Sequence, residues 1–244
     1  MNKNTIHISW NELTETCVKL FRGIPMDIGH AKEASIAISR MEVWLGSGLK
    51  HLHEIYNEIS PTGNLGINFV IKKPHLLVIE GNGQTILKIS EAIDFIKAHT
   101  TKHGYVVSHI HDFKHQEILP SLLYKNYTGD VQLSAQVMSK NILTIIQNIQ
   151  AFNNPQISEY NMPEYMSSKG MITIYGYDSK HFNLFNFQPR TLPNYILPPK
   201  ALKQKLTLAQ TEGITVDKEI WSWVVKKSRK ILVPESDRSN SQAG

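Results

Sequence analysis

Over the first sixty positions apolar residues recur every three or four residues, the period of helices that bury one stripe. Trp10, Leu13, Cys17 and Leu20 mark a first helix, with Gly23 as its stop. Pro25 suits the first turn of a second helix, which carries Ile28, Ala31, Ala34, Ser35, Ile38, Met41 and Leu45; its small residues imply close packing against a neighbour. Gly46 and Gly48 interrupt it. Leu49, Leu52, Ile55 and Ile59 draw a third stripe, ended by Ser60 and Pro61. After Gly63 the pattern changes to short β-branched runs, 67–71 and 75–79, which read as strands with a tight turn expected at Gly81-Asn82-Gly83. A helix over 91–99 with Ser90 as cap, a strand over 105–108, a helix over 116–124 and a strand over 131–135 follow.

The stretch 141–152, with Ile142, Leu143, Ile145, Ile146, Ile149 and Phe152, fits a helix better than a strand, and 153–166 reads as irregular. A strand over 170–175 and an alternating run over 181–187 predict a hairpin across Asp178-Ser179. Pro189, Pro193, Pro198 and Pro199 mark an extended link to two closing helices over 200–210 and 216–227. The expected fold is α/β or α+β: a helical N-terminal unit, a central mixed sheet with flanking helices, and C-terminal helices packing back. Its parts are a helical unit over 1–60, a mixed core over 61–232 that forms one compact domain with it, and a polar, flexible tail over 233–244.

Composition narrows the function classes. The 244 residues are 41% hydrophobic and 19% charged, a balance that excludes a disordered or fibrous chain. A single cysteine, Cys17, excludes an internal disulfide framework and a cysteine-only zinc cage, and it lies on the apolar stripe of the first helix. No run of about 18 apolar residues is present, so no membrane span is expected. The acidic residues among the first fifteen do not read as a signal peptide, and the cytoplasm is the expected location. The net charge of +5 raises nucleic acid as a partner, but the cations form no long stripe and the densest group is only Lys226, Lys227, Arg229 and Lys230, so that partner is disfavoured.

The candidate chemistry centres on residues 108–115, directly after a predicted strand, where ligands sit in open α/β sheets. His109, His111, Asp112 and His115 offer imidazoles and a carboxylate. Three readings stay open: a metal site of His109, His111 and Asp112, acid/base chemistry by a histidine, and a solvated loop. The metallo-β-lactamase pattern His-x-His-x-Asp-His fails, because Asp112 follows His111 directly and His115 falls one position late. His115 is the preferred catalytic residue, with His109, His111 and Asp112 beside it. On the second helix Glu33 and Arg40 are candidate substrate-binding residues, against a reading as ordinary charged outer positions. Gly81-Asn82-Gly83 lacks the third glycine of a dinucleotide fingerprint, since position 86 is Ile86.

Two resemblances add to this reading. Residues 23–35 with Val43-Trp44-Leu45-Gly46, and the segment Val233-Pro234-Glu235-Ser236, resemble a bacterial family known only as a domain of unknown function, which implies a stand-alone cytoplasmic protein. The layout from Ile93 to Leu119 is similar to the malate/L-lactate dehydrogenases that lack the Rossmann fold, where a helical unit precedes a mixed sheet and a histidine follows a strand; His115 stands in the analogous place. That family's Ser-His-Gly segment has no counterpart at Gly29-His30.

Together these point to a small-molecule metabolic enzyme, or an enzyme-like protein, that acts on a small anionic carboxylate by histidine acid/base chemistry, the basic balance steering the anion. The alternative is a non-catalytic subunit that docks a partner through an aromatic strand around Phe182 to Phe187. The sequence assigns no cofactor and leaves a homo-oligomer open.

Overall fold

A computed structural model describes residues 4–24, 26, 28–58, 67–124, 130–139, 141–148, 155–162, 171–185 and 192–229. Two layers result. One is helical: α1 (Trp10–Arg22), α2 (Ile28–Leu45) and α3 (Gly48–Glu58) pack in sequence, and α6 (Pro199–Glu212) and α7 (Lys218–Ser228) lie back on them. Most positions predicted from spacing are buried, Leu13, Cys17 and Leu20 on α1 and Ala31, Ala34, Ser35, Ile38 and Met41 on α2, and Phe21 joins them; Trp10 is only half-buried, and Ile28 and Leu45, at the two ends of α2, are exposed. Ser9 caps α1 by accepting from the Glu12 N–H, and Asp217 caps α7 by accepting from the Glu219 and Ile220 N–H groups. Between them, β1 (Thr5–Ile8) pairs antiparallel with β10 (Ile214–Asp217), a small ladder that joins distant parts of the chain under the helices.

The second layer is an eight-stranded mixed sheet in the order β2-β3-β4-β8-β5-β6-β7-β9. Its strands are β2 (Asn68–Lys73), β3 (Leu76–Thr85), β4 (Tyr105–Lys114), β5 (Gln132–Ser139), β6 (Ile142–Asn148), β7 (Pro155–Asn161), β8 (Met171–Tyr177) and β9 (Tyr195–Leu197). Only β3 and β4 run parallel, and α4 (Ser90–His103) makes the crossover between them, as a parallel pair requires. Leu77, Ile79, Val106, Ile110, Leu133, Ala135, Ile172 and Ile174 share the face toward α4 and are buried. Gly176 lies on that face because a Cβ there would run into Thr100 and Ile96 of α4. Among the described residues no helix is long and apolar enough to cross a membrane.

Several local expectations are overturned. Residues 142–148 form a strand instead of a helix: Ile145 and Ile146 are both buried, so both faces of β6 are covered and the alternation that identifies a strand is erased. The irregular stretch after 153 contains β7, which hydrogen-bonds to β6 along its whole length. The hairpin across Asp178-Ser179 does not form; residues 179–185 make a 3₁₀ segment, started by Asp178 Oδ1 accepting from the Lys180 and His181 N–H groups. Gly81-Asn82-Gly83 is no tight turn but an irregularity within β3, with Asn82 and Gly83 at positive φ. There Gly81 lets the Phe113 ring lie where a Cβ would stand. The helix over 116–124 is a 3₁₀ turn, 116–118, followed by α5 (Leu119–Leu123), and the awkward Pro120 sits harmlessly in the first turn of α5. The expected tail, 233–244, and Phe187 lie outside the described residues.

Candidate functional site

At the C-terminal end of β4 the chain makes two excursions into the left-handed region, Asp112 at φ 55° and His115 at φ 59°, neither of them glycine. Such conformations cost on the order of 1–3 kcal/mol and persist where the surroundings fix them. Between them Phe113 turns into the core, while the His115 side chain is only 10% exposed and points its Nε2 at Glu58 Oε2, 3.4 Å away. Lys114 Nζ approaches the same carboxylate at 3.6 Å.

Glu58 belongs to α3, and the same helix brings a second histidine to this end of the sheet. His51 Nδ1 lies 3.1 Å from Glu117 Oε1, on the turn after β4, and 3.3 Å from Glu54 Oε2. The close contact with the Glu117 carboxylate raises the His51 pKa above its ordinary value; burial opposes this, and the Glu54 charge adds to it. Burial pushes Glu117 upward, but the close contact with His51 and the charges of His51 and His115 outweigh it, so its pKa is lowered. The result is two carboxylate-oriented imidazoles beside the carboxyl ends of the parallel strands β3 and β4. The carboxylates orient both rings, and His51, whose pKa is raised, is suited to accept and return a proton near neutral pH.

The other residues singled out from sequence lie elsewhere or are differently engaged. His109 and His111 alternate with Ile110 and so stand on the face of β4 turned away from α4; His109 Nδ1 is 3.3 Å from Thr173 Oγ1. Asp112 is exposed, and its Oδ2 is 4.0 Å from where a Cβ on Gly83 would stand. Among the described residues no three His, Cys, Asp or Glu side chains are gathered to hold a metal ion, so His109, His111 and Asp112 do not form a ready ligand set. Glu33 accepts a hydrogen bond from Ser90 Oγ at 2.7 Å. Arg40 donates to the Ser121 carbonyl at 3.3 Å and lies 5.1 Å from the Tyr124 ring centre. Both tie α2 to neighbouring elements. An open cleft of about 690 Å³ between the end of α2, β7, β9, α6 and β10 is lined by Glu42, Trp44, Glu159, Tyr195, Lys205 and Thr215 among others, and by none of the predicted residues.

Sequence reasoning missed His51, Glu54, Glu58 and Glu117. The first three occur at i, i+3 and i+7 of the third helical stripe, a spacing that places them on one helix face and was legible without the fold. Their meeting with His115 and Glu117 was not.

No family model and no curated protein matches this sequence. The resemblance of residues 23–35 and 43–46 to a family of unknown function therefore gains no support. Solved structures do match over nearly the whole chain. Malate dehydrogenase from Pyrococcus horikoshii OT3 superimposes with a TM-score of 0.68 at 9% identity, covering 96% of this chain and 97% of that one. Sulfolactate dehydrogenase from Methanocaldococcus jannaschii gives 0.61 at 9% identity, with 93% and 97% covered. Delta1-piperideine-2-carboxylate reductase from Pseudomonas syringae pvar. tomato gives 0.58 at 7% identity, with 91% and 99% covered. The chain thus has the mixed α/β fold of these dehydrogenases, in keeping with the layout read between Ile93 and Leu119.

Proposed function

We propose that this protein is a small-molecule enzyme that acts on a small carboxylate substrate, with His51 and His115 as the proton-transferring groups. The observation that carries the reading is the pairing of His51 with Glu117, and of His115 with Glu58, at the carboxyl ends of the two parallel strands. The fold neighbours support the substrate class: malate and sulfolactate dehydrogenases and a piperideine-2-carboxylate reductase are all named for carboxylates.

The charge of the cluster sets a condition. Glu54, Glu58 and Glu117 outnumber Lys114, so protonating His51 removes one unit of net negative charge from the group. A carboxylate is therefore admitted better below the raised pKa of His51 than above it. The neighbours' dehydrogenase chemistry also needs a hydride carrier such as a nicotinamide dinucleotide. The segment most like a cradle for its phosphates, Gly81-Asn82-Gly83, is a strand irregularity facing Asp112, whose negative charge opposes a phosphate. The residues do not fit the cofactor at that place, and the reading is confined to proton transfer.

The test is titration of the untagged protein with malate, lactate, pyruvate and sulfolactate at pH 6 and pH 8, by calorimetry and NMR. At least one acid is expected to bind, more tightly at pH 6. Binding should be lost in His51→Ala and in His115→Ala while circular dichroism is unchanged. If no acid binds more tightly than roughly 10 mM, or if both variants bind as the parent does, the reading is wrong. The alternative, a subunit that docks through an aromatic strand, loses its main support: residues 179–185 are not a strand, and Phe185 is buried against Tyr177, ring centres 5.4 Å apart.

A further inference from the structure

The open cleft at the end of α2 shares no lining residue with the His51–Glu117 cluster, and at about 690 Å³ it has the size of a small-molecule site. It lies on the face of the sheet that carries the core. Ile172, Val137, Thr144, Glu159 and Tyr195 follow one another on that face across β8, β5, β6, β7 and β9. Ile172 and Val137 are buried under the helical layer. At Glu159 and Tyr195 the layers leave open space, walled by the last turn of α2, by Lys205 of α6 and by Ile214 and Thr215 of β10. We infer that this cleft binds a small organic cation, an ammonium or guanidinium group on an apolar body, with Glu159 as its counter-ion.

The free hydrogen-bonding capacity around the cleft is chiefly that of acceptors. A helix leaves its last four carbonyls without partners of its own. At the end of α2 the Glu42 carbonyl accepts from the Gly46 N–H at 2.8 Å, and the Trp44 carbonyl accepts from Lys205 Nζ at 2.8 Å. Among the described residues no such bond reaches the carbonyls of Val43 and Leu45. The Trp44 ring is buried against Tyr124 and is closed to the cleft. The Glu42 side chain is occupied, its Oε2 accepting from the Leu49 N–H at 2.8 Å. Glu159 differs: its carboxylate has no hydrogen bond and no ion pair among the described residues. It is nevertheless half-buried, and burial raises its pKa above the ordinary carboxylate value. A charge taken from water is normally paired, and Lys205, the one described cation lining the cleft, is committed to the helix end.

These features select the charge of the ligand. An anion would meet Glu159 and the partially negative end of α2, and both repel it. An ammonium or guanidinium is attracted by both, and its N–H groups supply the donors that Glu159, Val43 and Leu45 lack. Tyr195 is the cross-strand partner of Glu159 and is 37% exposed, so its ring offers a second surface for a cation. Desolvation, with the Glu159 charge adding to it, raises the pKa of the Tyr195 phenol, which makes the two side chains electrostatic neighbours. The apolar residues Val43, Leu45 and Ile214 line the remainder and suit a hydrocarbon body. A single free carboxylate is too few ligands for a bare metal ion. Lys205 opposes any cation and limits the affinity.

The site is tested by titrating the untagged full chain at pH 7 with 2-phenylethylamine, benzylamine and 2-phenylethylguanidine, each beside the alcohol of the same skeleton, by calorimetry and NMR. At least one cation is expected to bind with a dissociation constant of about 1 mM or tighter. Its alcohol should bind about tenfold more weakly or worse, the scale of a charge-assisted hydrogen bond. Glu159→Gln should weaken the cation by a similar factor. Lys205→Gln keeps a donor for the Trp44 carbonyl and removes the opposing charge, so it should tighten binding. Glu159 is partly accessible and Lys205 exposed, so circular dichroism should match the parent in both variants. If no cation binds at about 1 mM or tighter, the inference is overturned. It is overturned equally if the alcohol binds as tightly as the cation, if Glu159→Gln binds as the parent does, or if Lys205→Gln weakens binding. His51→Ala and His115→Ala should leave cation binding unchanged, so this result and the carboxylate-binding reading stand or fall separately.

Discussion

Replacing Glu117 by Gln keeps the shape and hydrogen-bonding capacity of the side chain and removes its charge, so it isolates the electrostatic part of the His51–Glu117 pair. His51 is raised above its ordinary pKa near 6.5 in the folded protein, so its contribution is complete below that value and is lost as pH rises through the raised one. Glu117 is lowered, so its contribution is complete above the ordinary carboxylate value and is lost as pH falls through the lowered one. The two conditions overlap between about pH 4.5 and 6.5, where the pair is fully ionised. The Glu117 side chain is 36% exposed and that of His51 19%, so solvent screening reduces the pair to no more than about 1 kcal/mol. Glu117→Gln should therefore lose up to about 1 kcal/mol at pH 6 in urea denaturation, and the gap should close toward pH 9 as His51 loses its proton in both proteins. In the same variant, NMR titration of the His51 ring should show its pKa moving down toward the ordinary histidine value. An unchanged His51 titration, or an equal stability gap at pH 6 and pH 9, would refute the electrostatic account and leave only packing.

Two further outcomes follow from burial. Gly176→Ala puts a methyl group against Thr100 and Ile96 and within 3.2 Å of Val106 Cγ1, and overpacking of this kind costs about 1–3 kcal/mol; an unchanged urea midpoint would show that α4 yields without strain. Cys17 is fully buried, and desolvation, with Glu42 adding to it, pushes its thiol pKa upward, so Ellman's reagent should leave it untouched at pH 8 in the native protein and label it completely in urea. Rapid labelling without denaturant would mean that α1 opens locally.

The helices of this protein are written in its local pattern. Leu13, Cys17 and Leu20, or Ile38 and Met41, recur at the helical period because each of those helices buries one stripe. The strand–helix–strand order of β3, α4 and β4 was legible too, from short β-branched runs on either side of an amphipathic stretch; that β3 and β4 pair in parallel, and that β4 runs on through His109 and His111 to Lys114 instead of ending at Ser108, was not. β6 was not legible, because Ile145 and Ile146 are both buried and periodicity cannot distinguish a doubly covered strand from a helix. Nor was the β1–β10 ladder: Ile8 and Ile214 meet only because α1 and α7 pack together, and no local spacing encodes that. The candidate site divides in the same way. Its residue types, an imidazole after a strand and His51, Glu54 and Glu58 on one helix face, are properties of the sequence. That His51 faces Glu117 and His115 faces Glu58 depends on where α3 lands against the end of β4. That placement is decided by the burial of Leu49, Leu52 and Ile55 in the common core, a balance of non-local contacts that exists only in the folded chain.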